Sequence, residues 1–430
     1  MPFPACRPLT FIMTGFGWLL LASLLGLALL IGLVRGTPLP PGLKLVHVHG
    51  ALVGGVAQII MGAMLTFVST LLMTGRDRRD SHPVLFAAMN GGALALVLGF
   101  GFRNYQVVAA AGSVVFAAFF WVAQDTWRQA RRSVNRPPLN VWYYALALAA
   151  LAGGLALGIG MAAQLIQPAW TGSARLVHLH LNLMGFVTVT IIGTMHNLLP
   201  TVLQQPLHSP RLAKLVFFLL PMSIALLIGG FALSSLSIEF IGGTVLALGL
   251  CLYAFNLFAT WRASSHPGSA ASDHLLTATF FLVLAVFMGL LVAANYLGEH
   301  PFLPFGTLHL VAYTHTALTG FVMQTIFGAL SHLVPVTLAV HRIASNKKRG
   351  LYLERLTGIM NRWRIVQVAG LSMGTLGLGL VASLTWTVPL GSAAVHTAVW
   401  VTFGLFLISL TLFSVKLAWV FSSQPTKDAA

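Results

Sequence analysis

Charge is what this sequence has least of. Only 7% of its 430 residues are Asp, Glu, Lys or Arg, and the acids number 8 against 24 Lys and Arg. A soluble domain carries about 25% charged residues, so most of this chain is expected to lie against lipid or other apolar helices. Cysteine is nearly absent too. Cys6 and Cys251 sit far apart, in the N-terminal tail and within an apolar run, which excludes a disulfide framework or a zinc cluster. No CxxCH occurs, so no c-type haem is attached within these residues.

What is present is apolar length. The composition is 57% hydrophobic, with a mean hydropathy of +0.87. Backbone polar groups must be paired inside hydrocarbon, which leaves helices or a closed barrel. Barrel strands alternate in polarity over about ten residues, whereas these runs are continuous and about twenty residues long. The expected fold class is all-α integral membrane. About twelve transmembrane helices are predicted, near 10–34, 47–73, 83–102, 105–128, 141–164, 177–202, 212–234, 237–261, 274–297, 308–335, 362–387 and 391–420. The first run is longer than the roughly 7–15 residues of a signal-peptide core and reads as a retained helix.

The basic residues mark orientation. The segments after spans two, four and ten read TGRDRRD, RQARRSVNR and HRIASNKKRGLYLERLTGIMNRWR, and Arg211, Lys214 and Arg262 fall on the same side. The opposite connections TPLPPGLK, QPAWTGSAR and EHPFLPFG are sparse in charge. Positive charge held in short loops sets topology, so both termini are expected in the cytoplasm, of a bacterial inner membrane if the host is a bacterium. The same placement argues for lipid, and no nucleic acid, as the partner of the net +16 charge.

A repeat organises the chain. His49, His180 and His315 each open a span, and each is followed by glycine after five residues (Gly54, Gly185, Gly320) and after thirteen (Gly62, Gly193, Gly328). The spacings are 180 − 49 = 131 and 315 − 180 = 135 residues, one recurrence per four spans. The chain therefore reads as one transmembrane domain of three pseudo-symmetric four-helix units, approximately 1–135, 136–266 and 267–430. The glycines alone are explained by close helix packing. The histidines are not, because ionisable groups in spans are costly and usually face the interior or water.

Neutral imidazole is a common metal and haem ligand. A second set, His47, His178 and His309, lies close by. Residues two apart on a helix point about 200° apart, so only one of each pair can face a given centre. The glycine register selects His49, His180 and His315, and the second set reads as outer-surface hydrogen bonding. His196 and His332 fall about 25 Å further along their helices, where a second site, a proton entry, a quinone contact or a simple cap are all open. His208, His266 and His341 read as loop residues.

The stretches HTALTGFVMQTIFGALSHLVP and HLNLMGFVTVTIIGTMHNLLP resemble spans ten and six of subunit I of the haem-copper oxidase superfamily, particularly its cbb-type cytochrome c oxidase and nitric oxide reductase branches. The likeness covers the helix plan and about fifty residues of sequence. It implies that His49 and His315 are axial ligands of a low-spin haem b, and that His180 is a copper candidate. Two axial histidines close the iron to gases and suit electron transfer. It also implies a respiratory oxidoreductase, with a c-type cytochrome subunit or a quinol as electron donor. The sequence departs from that pattern in two places. Tyr313 stands where the family has a further histidine for a gas-binding haem, and span seven, LVFFLLPMSIALLIGGFALS, has none of the family's histidines for copper. A low-spin haem is therefore better supported than a complete oxygen- or nitric-oxide-reducing centre. A non-catalytic haem- or copper-binding membrane protein of the nitric oxide response is one alternative. A transporter is another, though transporters usually break their helices at the midplane.

Overall fold

A computed structural model describes residues 7–74, 81–298 and 300–425, and no strand occurs among them. Cys6 and most of the TGRDRRD connection lie outside the described residues. Among the described residues, twelve helices are long and apolar enough to cross a membrane: α1 (Pro8–Val34), α2 (Leu43–Leu71), α3 (Pro83–Gly101), α4 (Tyr105–Arg132), α5 (Leu139–Ala162), α6 (Pro168–Leu203), α7 (Pro210–Leu233), α8 (Leu236–Ala263), α9 (Ala270–Asn295), α10 (Thr307–Arg342), α12 (Arg364–Leu384) and α13 (Ala393–Ser422). The α11 helix (Asn346–Asn361) connects the tenth span to the eleventh.

Two differences from the sequence reading stand out, both beyond α10's apolar run. That connection is not all loop. Its residues Tyr352, Leu356, Ile359 and Met360 are buried, at the spacing of one helical face. Lys416 of α13 donates from Nζ to the carbonyls of Met360 (2.8 Å) and Arg362 (3.1 Å), satisfying orphan acceptors at the α11 C-terminus. Secondly, His341 belongs to α10 rather than to a loop.

Chain contacts divide the protein into two compact units, residues 1–194 with 217–245, and residues 195–216 with 246–430. Within the first, α2 packs on α1 and α6 on α5; within the second, α10 packs on α9. The matched glycines make these three seams. A methyl group on Gly54 or Gly62 would strike Trp18 or the Pro8 carbonyl and Ile12 of α1. On Gly185 or Gly193 it would strike Ala150 or Tyr143 of α5, and on Gly320 or Gly328 it would strike Phe281 or Leu275 of α9. Each glycine thus removes a side chain where two backbones close up. The same three spans are the most interior: 67%, 56% and 72% of their apolar windows are buried, against at most 44% in any other span.

Valine at Gly328 must displace Leu275 and the Ala271 carbonyl. Gly328→Val is expected to cost about 1–3 kcal/mol, lowering the thermal midpoint in detergent. Gly379→Ala, with open space around it, should leave that midpoint unchanged.

Candidate haem-ligand site

The three register histidines share one local structure. Each is the last residue before an eight-residue π-helical segment: Gly50–Ala57 after His49, Leu181–Thr188 after His180, and Thr316–Met323 after His315. π segments occur often at functional sites, because the extra residue re-aims side chains that an α-helix would carry past. Each ring is also tied in the same way. Nδ1 bonds the carbonyl one turn earlier: His49 to Leu45 at 2.9 Å, His180 to Leu176 at 2.8 Å and His315 to Val311 at 2.8 Å. A carbonyl only accepts, so the neutral imidazole carries its proton on Nδ1 and its lone pair on Nε2. This is the tautomer and anchoring that ligating histidines adopt. In the first unit, both rings also lie on a phenylalanine 51 residues later, His49 on Phe100 and His180 on Phe231, with centroids 4.4 Å apart in each case.

The residues two positions earlier face the other way, into the seam. The ring of His47 rests on Gly26 and bonds the Ala22 carbonyl at 2.8 Å. The ring of His178 rests on Gly158 and bonds the Gly154 carbonyl at 2.7 Å. Both bonds lie between neighbouring helices, inside the packing rather than on the outer surface. Tyr313 holds the corresponding place in α10, with its phenol oxygen against Gly289 of α9. The glycines recur as the histidines do, at 158 − 26 = 132 and 289 − 158 = 131 residues.

The remaining candidates differ in kind. His309 accepts at Nδ1 from the Gly306 backbone N–H at 3.1 Å, which puts its own proton on Nε2 and leaves no free lone pair. It is stacked on Trp386, with centroids 5.2 Å apart and 18° between the rings, and Phe305 lies beyond. His196 is buried, edge-on to Tyr253 at 5.5 Å, and His332 is half-buried. Among the described residues, no three His, Cys, Asp or Glu side chains come together to hold a metal ion.

The donor chemistry of His49 and His315 fits an axially ligated haem, since each is a neutral imidazole anchored through Nδ1 to a backbone carbonyl. The surroundings of His180 do not fit a copper ion, which needs several donors, since no group of three His, Cys, Asp or Glu forms there among the described residues.

A polar group not apparent from the sequence lies inside the second unit: His274, Gln324, Gln367 and Lys416, all buried. Its one legible signal was register. Gln58 and Gln324 each stand nine residues after a register histidine, as the first residue beyond the π segment.

No family model matches the chain. A stretch of 158 residues is 34% identical to an uncharacterized protein of Aquifex aeolicus (strain VF5), covering 36% of this chain and 40% of that protein. The chain thus spans about two-fifths of the length of that curated relative. In three dimensions it is similar to a haem-copper terminal oxidase dimer solved by cryo-electron microscopy, with a TM-score of 0.70, over 98% of this chain and 85% of that one. At 12% identity this is a likeness of fold. The chain is a multi-pass membrane protein. Its fold is that of haem-copper oxidase subunit I.

Histidine labelled with ¹⁵N gives the tautomer directly. In the cofactor-free protein, the resonances lost in His49→Ala, His180→Ala and His315→Ala should be those of Nδ1-protonated rings. The resonance lost in His309→Ala should be that of an Nε2-protonated ring.

Proposed function

We propose that this protein is an electron-transfer haem protein of the membrane, in which His49 and His315 hold a low-spin haem b through Nε2. The observation that carries the reading is the shared tie of Nδ1 to the carbonyl one turn earlier, which fixes the ligating tautomer before any haem arrives. Bound between two imidazoles, a haem supplies one-electron redox chemistry and has no coordination position for a gas. The chain's own part is to aim both rings and keep them neutral. The seams at Gly54 and Gly320 serve that end by holding the ligand-bearing helices against α1 and α9.

The chain is organised as three four-helix units, 1–135, 136–266 and 267–430, a division supported by the recurring histidines, π segments and seam glycines. The protein lies in a bacterial inner membrane with the basic connections and both termini cytoplasmic. A c-type cytochrome subunit or a quinol is the expected electron donor. Reduction of oxygen or nitric oxide is not part of the reading. Tyr313, at the position of the family's second haem ligand, is packed by its phenol oxygen against Gly289, and among the described residues His180 belongs to no group of three or more His, Cys, Asp or Glu.

Optical spectra of purified protein test this. The expected result is a b-type α band on reduction that carbon monoxide leaves unmoved, and that is lost in His49→Ala and in His315→Ala. A carbon monoxide shift would contradict the six-coordinate assignment. Purification without haem, after growth with ample haem supply, would overturn the reading as a whole.

A further inference from the structure

Residues 342–364, from the end of α10 to the start of α12, hold seven Lys and Arg against one acid, Glu354. Three of the seven fasten the connection to its neighbours. Arg342 donates from Nη1 to Tyr352 Oη at 2.6 Å and from Nη2 to the Phe421 carbonyl at 2.8 Å. Arg349 donates from Nη2 to the Ile343 carbonyl at 3.1 Å, and Arg364 pairs with Asp273 at 3.2 Å. With Lys416 at its far end, α11 is bolted by one face to α10 and α13.

The other four cations, Lys347, Lys348, Arg355 and Arg362, are exposed. Lys347, Leu351, Arg355, Gly358 and Arg362 follow one another at steps of three or four residues, which makes a single stripe along a helix. That stripe lies opposite the buried Tyr352, Leu356, Ile359 and Met360. No acid stands three or four residues from any of the four exposed cations, so the intrahelical pairing that neutralises many surface helices is excluded here. Leu351 sits among them 77% exposed.

Gly350 and Gly358 also lie on the open face, and a methyl group on either would meet nothing within 4 Å. Glycine inside a helix costs about 1 kcal/mol against alanine, and packing does not call for it here as it does at the seams. A bare backbone does allow a ligand to approach closely. Gly358 stands between Arg355, three residues before it, and Arg362, four after. The Arg362 guanidinium lies over the rings of Trp363 and Trp419, at 4.5 and 5.4 Å, and both rings are partly exposed. Tryptophan settles at the headgroup level of a membrane. A guanidinium stacked by its face keeps its N–H edge for a phosphate.

We propose that the open face of α11 binds the headgroup of an anionic phospholipid. The phosphodiester lies over Gly358 between Arg355 and Arg362, and Leu351 supplies apolar contact to the acyl chains. Charge complementarity selects the occupant: a zwitterionic headgroup brings its own cation to a face that is already positive. Because the other face of α11 is bolted to α10 and α13, a lipid held there braces the second unit. The inference rests neither on the haem nor on the orientation of the chain, since α11 joins two spans at one membrane surface in either case. It also goes beyond topology, because a basic connection that only sets orientation acts during insertion and builds no site.

Native mass spectrometry of the full chain in detergent, titrated with dioleoylphosphatidylglycerol or dioleoylphosphatidylcholine, tests the site. The native protein should hold phosphatidylglycerol more tightly than phosphatidylcholine. Arg355→Gln should weaken phosphatidylglycerol about fivefold, as the loss of one cation at a charged membrane surface implies. Gly358→Leu, which keeps every charge but covers the bare backbone, should weaken it at least as much. Arg136→Gln, in another basic connection, should leave it unchanged. A native protein without preference for phosphatidylglycerol would overturn the proposal, and so would native affinity in folded Arg355→Gln or Gly358→Leu. An equal loss in Arg136→Gln would replace the site by a diffuse charge effect. Glycerol phosphate bound as tightly as the lipid would make the occupant a soluble phosphate, and either result would overturn the proposal too.

Discussion

The structure depends on the close approach of three helices to their predecessors: α2 to α1, α6 to α5 and α10 to α9. In a bilayer, helix association has little hydrophobic driving force, because lipid tails are as apolar as leucine. Contact area and dispersion must supply it, and both grow steeply as backbones approach. The glycines at five and thirteen residues past each register histidine let that happen. Once the seam is fixed, so is the rotation of the helix. Position −2 is turned into the seam, where His47, His178 and Tyr313 meet Gly26, Gly158 and Gly289. The register histidine is turned away from it, with Nδ1 tied to the carbonyl one turn earlier.

The π segments complete this arrangement. A straight α-helix that satisfies the seam at both glycines has no freedom left to choose the direction of the histidine. An inserted residue between the histidine and the following α-helix supplies that freedom, and it appears at the same place three times. The carbonyl tie then removes the last uncertainty, which nitrogen bears the proton. Packing, helix type and tautomer together fix the ring and put its lone pair on Nε2.

Much of this was legible in the sequence, for physical reasons. Apolar length alone places the fifth span at 141–164 where the helix runs Leu139–Ala162, because lipid leaves a long apolar run no alternative to helix. The seams were legible because only glycine serves at a backbone contact, so its positions recur. The π segments were not, since GALVGGVA or TALTGFVM are equally compatible with α-helix and the bulge follows from tertiary fit. The α11 helix was read as loop because its charge hides a short apolar face, and its end is held by Lys416, 56 residues beyond Met360. His274 escaped attention for the same reason: its partners lie 50 and 93 residues away, and no local pattern joins them.

His49 and His315 are the proposed haem pair. Electron paramagnetic resonance of the oxidised protein tests that pairing most directly. The account predicts a low-spin ferric signal of bis-imidazole type, converted to high spin when either histidine alone is replaced by alanine. A high-spin signal in the native protein, or a low-spin signal that survives both single replacements, would contradict it.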